Sequence, residues 1–203
     1  MKSISYAITV KDELKEIKQL LPLLSKHCRK EDEIVVLWDS SGSDEVWSYL
    51  EDAKFGQENF EGLFQGDFSK IKNHLNSLTC KDFIFNIDAD EVPCDVLLEY
   101  LPQILDSNDC EAYWIPRENY VQGLTQEWIS KWGWRVDEKQ RINYPDKQLR
   151  VFKRDPERIK WVNKVHEQLI GYKTVSELPE ELYLLHNKTI ERQIKQNQFY
   201  ENI

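Results

Sequence analysis

The stretch Phe83-Ile84-Phe85-Asn86-Ile87-Asp88-Ala89-Asp90-Glu91-Val92-Pro93 constrains this chain more than any other. A short apolar run of this kind reads as a buried strand. It stops on two carboxylates one residue apart, with a third directly after. Burying one ionised carboxylate is unfavourable, and crowding several at a strand end is worse unless a cation neutralises them. Hard divalent ions such as Mg2+ and Mn2+ take oxygen ligands of this type, usually one or two carboxylates plus substrate phosphates. The passage therefore points to a metal at the carboxyl edge of a sheet, where open α/β folds bind ligands. Acidic residues also simply mark turns after strands, so a bare Asp-x-Asp does not decide between the two.

The order of elements around it predicts an α/β fold. Residues 3–10 read as a strand and 12–30 as a helix with Leu14, Ile17, Leu21 and Leu24 on one face, Pro22 kinking or interrupting it. Glu33-Ile34-Val35-Val36-Leu37-Trp38 is a second buried strand, ending in the turn-rich loop Asp39–Asp44. A weak strand is expected at Gly62-Leu63-Phe64, then Asp67 as the N-cap of a helix carrying Ile71, Leu75 and Leu78. After the strand at 83–87, residues 94–105 read as a helix with Val96, Leu97, Tyr100, Leu101, Ile104 and Leu105 facing inward. This alternation implies a mostly parallel central sheet flanked by helices.

The second half differs. Strands are expected at 112–116 and 148–153, separated by an aromatic loop with Trp128, Trp132 and Trp134. Short strands follow near 159–162, 167–172 and 181–186, and an amphipathic helix closes the chain over 189–203. With no linker or repeat, 1–203 reads as one domain, a nucleotide-binding half over 1–105 and an acceptor-side half, mixed and aromatic-rich, over 106–203.

Bulk composition narrows the partners. A net charge of −9 argues against nucleic-acid binding, which needs a basic footprint. No apolar stretch approaches the ~18 residues of a membrane span. Cys28, Cys80, Cys94 and Cys110 form no C-x-x-C pair, so free thiols and a cytoplasmic location are expected. No G-x-G-x-x-G and no phosphate-binding P-loop is present, so phosphates would depend on the metal.

Five ordered segments carry a resemblance. They are Trp38-Asp39-Ser40-Ser41-Gly42-Ser43-Asp44, Asp67-Phe68-Ser69-Lys70-Ile71-Lys72-Asn73, Asn86-Ile87-Asp88-Ala89-Asp90-Glu91, Tyr144-Pro145-Asp146-Lys147-Gln148-Leu149-Arg150-Val151-Phe152 and Trp161-Val162-Asn163-Lys164-Val165-His166-Glu167. In this order they resemble a family 2 glycosyltransferase of the GT-A fold, of the small bacterial and phage type. The resemblance implies transfer of a sugar, with inversion, from a nucleotide-sugar to a glycan, lipid-linked or protein acceptor. A UDP-sugar is the favoured donor and Mn2+ or Mg2+ the cofactor. Asp39, Lys72, Asn73 and Asp88 would contact the nucleotide, and Asp88, Asp90 and His186 the metal, with Glu91 supporting them. His186 ends the apolar run Leu182-Tyr183-Leu184-Leu185, in the place of the family's late metal-binding histidine.

Inverting transfer needs a base for the acceptor proton. Glu167 is the first candidate and Asp146 the second, with an ion pair to Arg150 or Lys164 the ordinary alternative for Glu167. One of the three clustered Trp residues is expected to stack on a sugar. The family's Asn-Glu after the first strand is replaced by Lys11-Asp12-Glu13, which leaves that nucleotide contact open. Two other readings stand beside this one. A metal-dependent nucleotidyltransferase would use the same acidic pair but normally has a basic, Gly-rich loop, which residues 9–14 lack. A non-catalytic carbohydrate-binding module would account for the seven Trp.

Overall fold

Strands buried on both faces, with β-branched and aromatic residues on alternate sides, form the frame of the computed structural model, which describes residues 1–201. β1 (Ile4–Val10) lies between β2 (Glu33–Asp39) and β4 (Phe83–Asp88), parallel to both, and β3 (Gln57–Gly62) extends the edge beyond β2. Period-2 alternation splits their side chains. Ile4, Tyr6 and Ile8 face one core, Ala7, Val35 and Leu37 the other. α1 (Leu14–His27), α2 (Asp44–Asp52) and α4 (Asp95–Ser107) cover the first face, and α3 (Phe68–Leu78) the second. Each fully buried Leu or Ile contributes ~1.5–3 kcal/mol. Asp67 caps α3 as expected, its carboxylate accepting from the Ser69 and Lys70 amides, which stabilises the helix by ~1 kcal/mol.

The remaining strands continue the same sheet. The strand path runs β3-β2-β1-β4-β7-β6-β11-β5, with β10 (Val175–Glu177) also on β6. β7 (Asp146–Lys153) is antiparallel to β4 and to β6 (Ala112–Gln122), and β11 (Leu184–Thr189) is parallel to β6 and antiparallel to β5 (Glu91–Pro93). These senses bring the start of β7 and the ends of β4, β6 and β11 to one edge. β8 (Lys160–Val162) and β9 (Gln168–Ile170) form a separate hairpin against α3.

Several expectations shift. The third strand is 57–62, not 62–64, and Ser43 caps a helix, α2, directly after the Asp39 loop. α1 runs through Pro22 without interruption. In α4, Val96 and Tyr100 are exposed, and Leu98 and Pro102 take their places in the core. The aromatic loop holds a short helix, α5 (Gln126–Trp132). The last helix, α6, covers Ile190–Glu201, so Asn202 and Ile203 of the expected helix lie outside the described residues. All four cysteines are free, and among the described residues no helix is long and apolar enough to cross a membrane.

Candidate functional site

The shared strand edge opens into a cavity of about 830 Å³. Asp39, Lys72, Asp88, Asp90, Asp146, Glu167 and His186 all face it, although they come from six separate segments. Asn73 does not. Its amide donates to the Trp161 carbonyl at 2.8 Å and accepts from the Trp161 amide at 2.9 Å, tying α3 to β8.

Asp39 ends β2 and is buried. Its Oδ1 accepts from the amides of Ser41 and Phe64, each at 3.1 Å, and from the Ser41 hydroxyl at 3.0 Å. Burial pushes this carboxyl up, but those hydrogen bonds and Lys11 outweigh it and hold it below the ordinary range. Oδ2 stays on the cavity side, 3.5 Å from Lys11 Nζ. Gly42 lets the loop pack tightly, because a Cβ there would stand 2.5 Å from the Lys11 carbonyl oxygen.

The crowded acids after β4 are neutralised by the protein's own cations. Arg150 Nη2 donates to Asp88 Oδ2 at 2.5 Å and to Glu91 Oε1 at 2.7 Å. Arg117 Nη1 donates to the same Glu91 oxygen at 2.6 Å, and its Nε and Nη2 grip Asp146 Oδ2. Lys72, which the helix-flank position would leave solvated, is buried, 2.5 Å from Glu167 and 3.3 Å from Asp88. Burial works to raise Asp88, and Arg150 with Lys72 overcomes it, so the carboxyl sits far below its ordinary value. Asp146 behaves alike: burial raises it, and Arg117, Asn119 and Gln148 bring it down. Glu167 pairs with Lys72 and not with the Arg150 or Lys164 partner expected as its alternative.

Asp90 takes its partners from the β11–α6 segment. His186 Nε2 is 3.3 Å away, Arg192 3.3 Å and Lys188 3.8 Å. Against the upward push of burial the Lys188 and Arg192 cations hold the Asp90 carboxyl below the ordinary range. Among the described residues no three His, Cys, Asp or Glu side chains gather as a metal cluster. Asp88 is engaged by Arg150 and Lys72, apart from the Asp90–His186 pair. The 3.3 Å between His186 Nε2 and Asp90 Oδ2 is the spacing that two adjacent ligands of one divalent ion would take. Two ligands at ~2.1 Å on an octahedral ion stand about 3 Å apart, and diphosphate oxygens usually complete such a shell. Arg192, a third exposed on a flexible stem, is the group that would yield the space.

Arg117, Asn119, Lys188 and Arg192 escaped the sequence reading, and Arg150 entered it only as the alternative partner of Glu167. The signal for Arg150 was a cation inside the apolar run Leu149-Arg150-Val151-Phe152. Of the three Trp residues only Trp134 reaches the cavity, while Trp128 and Trp132 stack on each other at 4.7 Å. α6 forms a further wall, with Phe199 against Phe64 and Phe68 and Tyr200 against Phe68.

By sequence, no protein-family model and no curated protein matches the chain. By structure it is similar to S. aureus TarS 1-349, with a TM-score of 0.64 and 15% identity over 92% of this chain and 60% of that one. The same TarS fragment in complex with UDP-GlcNAc gives a TM-score of 0.65 and 16% identity over 93% and 59%. In complex with UDP it gives 0.64 and 17% over 92% and 60%. The chain thus spans about three fifths of the TarS fragment's length. At such identity the likeness is one of fold, and the fold of this chain is the GT-A-like α/β architecture that its five motifs resemble.

Proposed function

We propose that the chain is a glycosyltransferase that takes a sugar from a nucleoside-diphosphate sugar, a UDP-sugar by preference, and passes it with inversion to a glycan, lipid-linked or protein acceptor. One observation carries the reading. Asp39, the Asp88–Asp90 pair and Glu167 converge on one cavity at a sheet edge of a GT-A-like fold, and the TarS fragment of that fold is known in complex with UDP-GlcNAc.

In this reading Asp39 Oδ2 accepts from the base or ribose, and Asp88, held by Arg150 and Lys72, orients the ribose side. Asp90 and His186 would hold Mn2+ or Mg2+, which stabilises negative charge on the departing diphosphate. Lys188 and Arg192 turn from Asp90 to phosphate oxygens, where a guanidinium pairs two oxygens at once. Trp134 covers the apolar face of a sugar. Glu167 takes the proton of the attacking acceptor group. Its Oε1 is anchored on Lys72, and Oε2 has no hydrogen-bond partner among the described residues. Asp146 is less suited to that task, because Arg117, Asn119 and Gln148 already occupy both its oxygens.

Calorimetry with UDP, GDP, CDP and their sugars, in Mn2+, Mg2+ or EDTA, tests the proposal. Metal-dependent nucleotide-sugar binding that disappears in Asp90→Ala is expected. Absence of nucleotide binding in every metal would sink it, and sugar binding without nucleotide would favour a carbohydrate-binding module. Release of pyrophosphate from a nucleoside triphosphate would point instead to nucleotidyl transfer.

A further inference from the structure

We propose that Asn119 is a positioning residue that fixes the tautomer of His186, so that the imidazole presents a bare Nε2 toward Asp90. This rests on the reading of Asp90 and His186 as ligands of a divalent cation.

Three neighbouring strands supply the relay. Asn119 of β6 is in register with His186 of β11, and Asp146 opens β7 on the other side of β6. Asn119 Nδ2 donates to Asp146 Oδ2 at 2.8 Å. An ionised carboxylate only accepts hydrogen bonds, so the amide nitrogen has to face it, which settles the orientation of the Asn119 amide. Its Oδ1 then faces His186 Nδ1 at 2.7 Å. A carbonyl oxygen only accepts as well, so the proton between them belongs to Nδ1. A neutral ring has one N–H, and Nε2 is left bare, 3.3 Å from Asp90 Oδ2. Two acceptors aimed at each other form no hydrogen bond. They are complementary to a cation that both can ligate.

Asp146 is thereby given work other than proton abstraction. Arg117 holds it from below with two N–H groups on the same oxygen that receives Asn119. The chain Arg117–Asp146–Asn119–His186 passes orientation from a half-buried cation to the ring, as outer partners commonly do for metal-bound histidines.

Long-range 1H–15N NMR of 15N-histidine-labelled protein, in alkaline buffer without metal, reads the tautomer directly. The chain has four His, and a His186→Gln spectrum assigns the signal. Wild type is expected to show His186 protonated on Nδ1 only. Asn119→Leu should give a mixture of both neutral forms and bind Mn2+ about tenfold more weakly, the lower end of the usual loss on removing such a partner. Asp146→Asn, which lets the Asn119 amide turn either way, should also mix the two forms and serves if the Leu variant does not fold. A wild-type ring protonated on Nε2, or on both nitrogens, overturns the inference whatever Mn2+ does. A ring protonated on Nδ1 in a protein that binds no Mn2+ would instead overturn the cation reading of the site and leave the relay standing.

Discussion

Lys72 Nζ lies 2.5 Å from Glu167 Oε1, joining α3 to the loop that leads into β9 across 95 residues of sequence. The same ammonium is 3.3 Å from Asp88, so one buried cation serves the proposed base and the proposed nucleotide side together. Lys72→Met should therefore leave Glu167 without its partner and Asp88 with Arg150 alone. Breaking a buried pair in this way costs about 3 kcal/mol at the lower end, which urea unfolding reads directly. Wild-type stability in this variant would mean that the pair is not formed in solution.

Glu167→Gln keeps the shape and the anchor on Lys72 but removes the basicity. If Glu167 accepts the acceptor's proton, kcat should fall by about 100-fold or more, with donor affinity nearly unchanged. Transfer at the wild-type rate would move the base elsewhere.

Glu91 is fully buried and accepts from Arg117 and Arg150 at once. Glu91→Gln should destabilise the fold by about 3–5 kcal/mol, because two guanidiniums lose their shared counter-charge. In a double-mutant cycle with Arg150→Met the two losses should be clearly non-additive. Simple additivity would argue against the network.

Acid should weaken the protein through its paired carboxylates. Glu111 is pulled from the ordinary 4.5 down to about 2, first by hydrogen bonds from Arg158 and then by the Lys173 amide. A lowered folded-state value means stability is complete above 4.5 and drains away as the pH falls toward 2. Asp88 and Asp90, lower still, add to the same acid-side loss. Glu111→Gln should flatten the fall of stability across that window in pH-dependent unfolding. An unchanged slope would contradict the pairing.

Much of this arrangement was legible because buried strands carry their own signature. The runs at 4–10, 33–39 and 83–88 are apolar on both faces, and Asp39 and Asp88 sit where the second and third of them stop. α2 and α5 were hidden for the opposite reason: they are short and begin among polar turn residues, with α5 burying nothing. The α4 face was misjudged at Val96 and Tyr100, where four-residue spacing fits two stripes and only packing against α1 selects Leu98 and Pro102. The cations that neutralise the crowded carboxylates are remote from them in sequence. Arg150 lies 62 residues from Asp88, and Lys188 and Arg192 reach Asp90 from the far end of the chain.

Among the described residues, seven acidic and seven basic side chains line the cavity. Their charges cancel, so the whole excess of −9 lies on the rest of the molecule. For an anionic donor this separates capture from approach. The mouth holds cations that can grip phosphates, while the body repels the donor over the last ~10 Å of screened diffusion. The usual salt dependence of steered encounters should then be inverted. Stopped-flow association of a UDP-sugar is expected to quicken as ionic strength rises from low values, and slowing would mean that the cavity's own field reaches past the acidic surface.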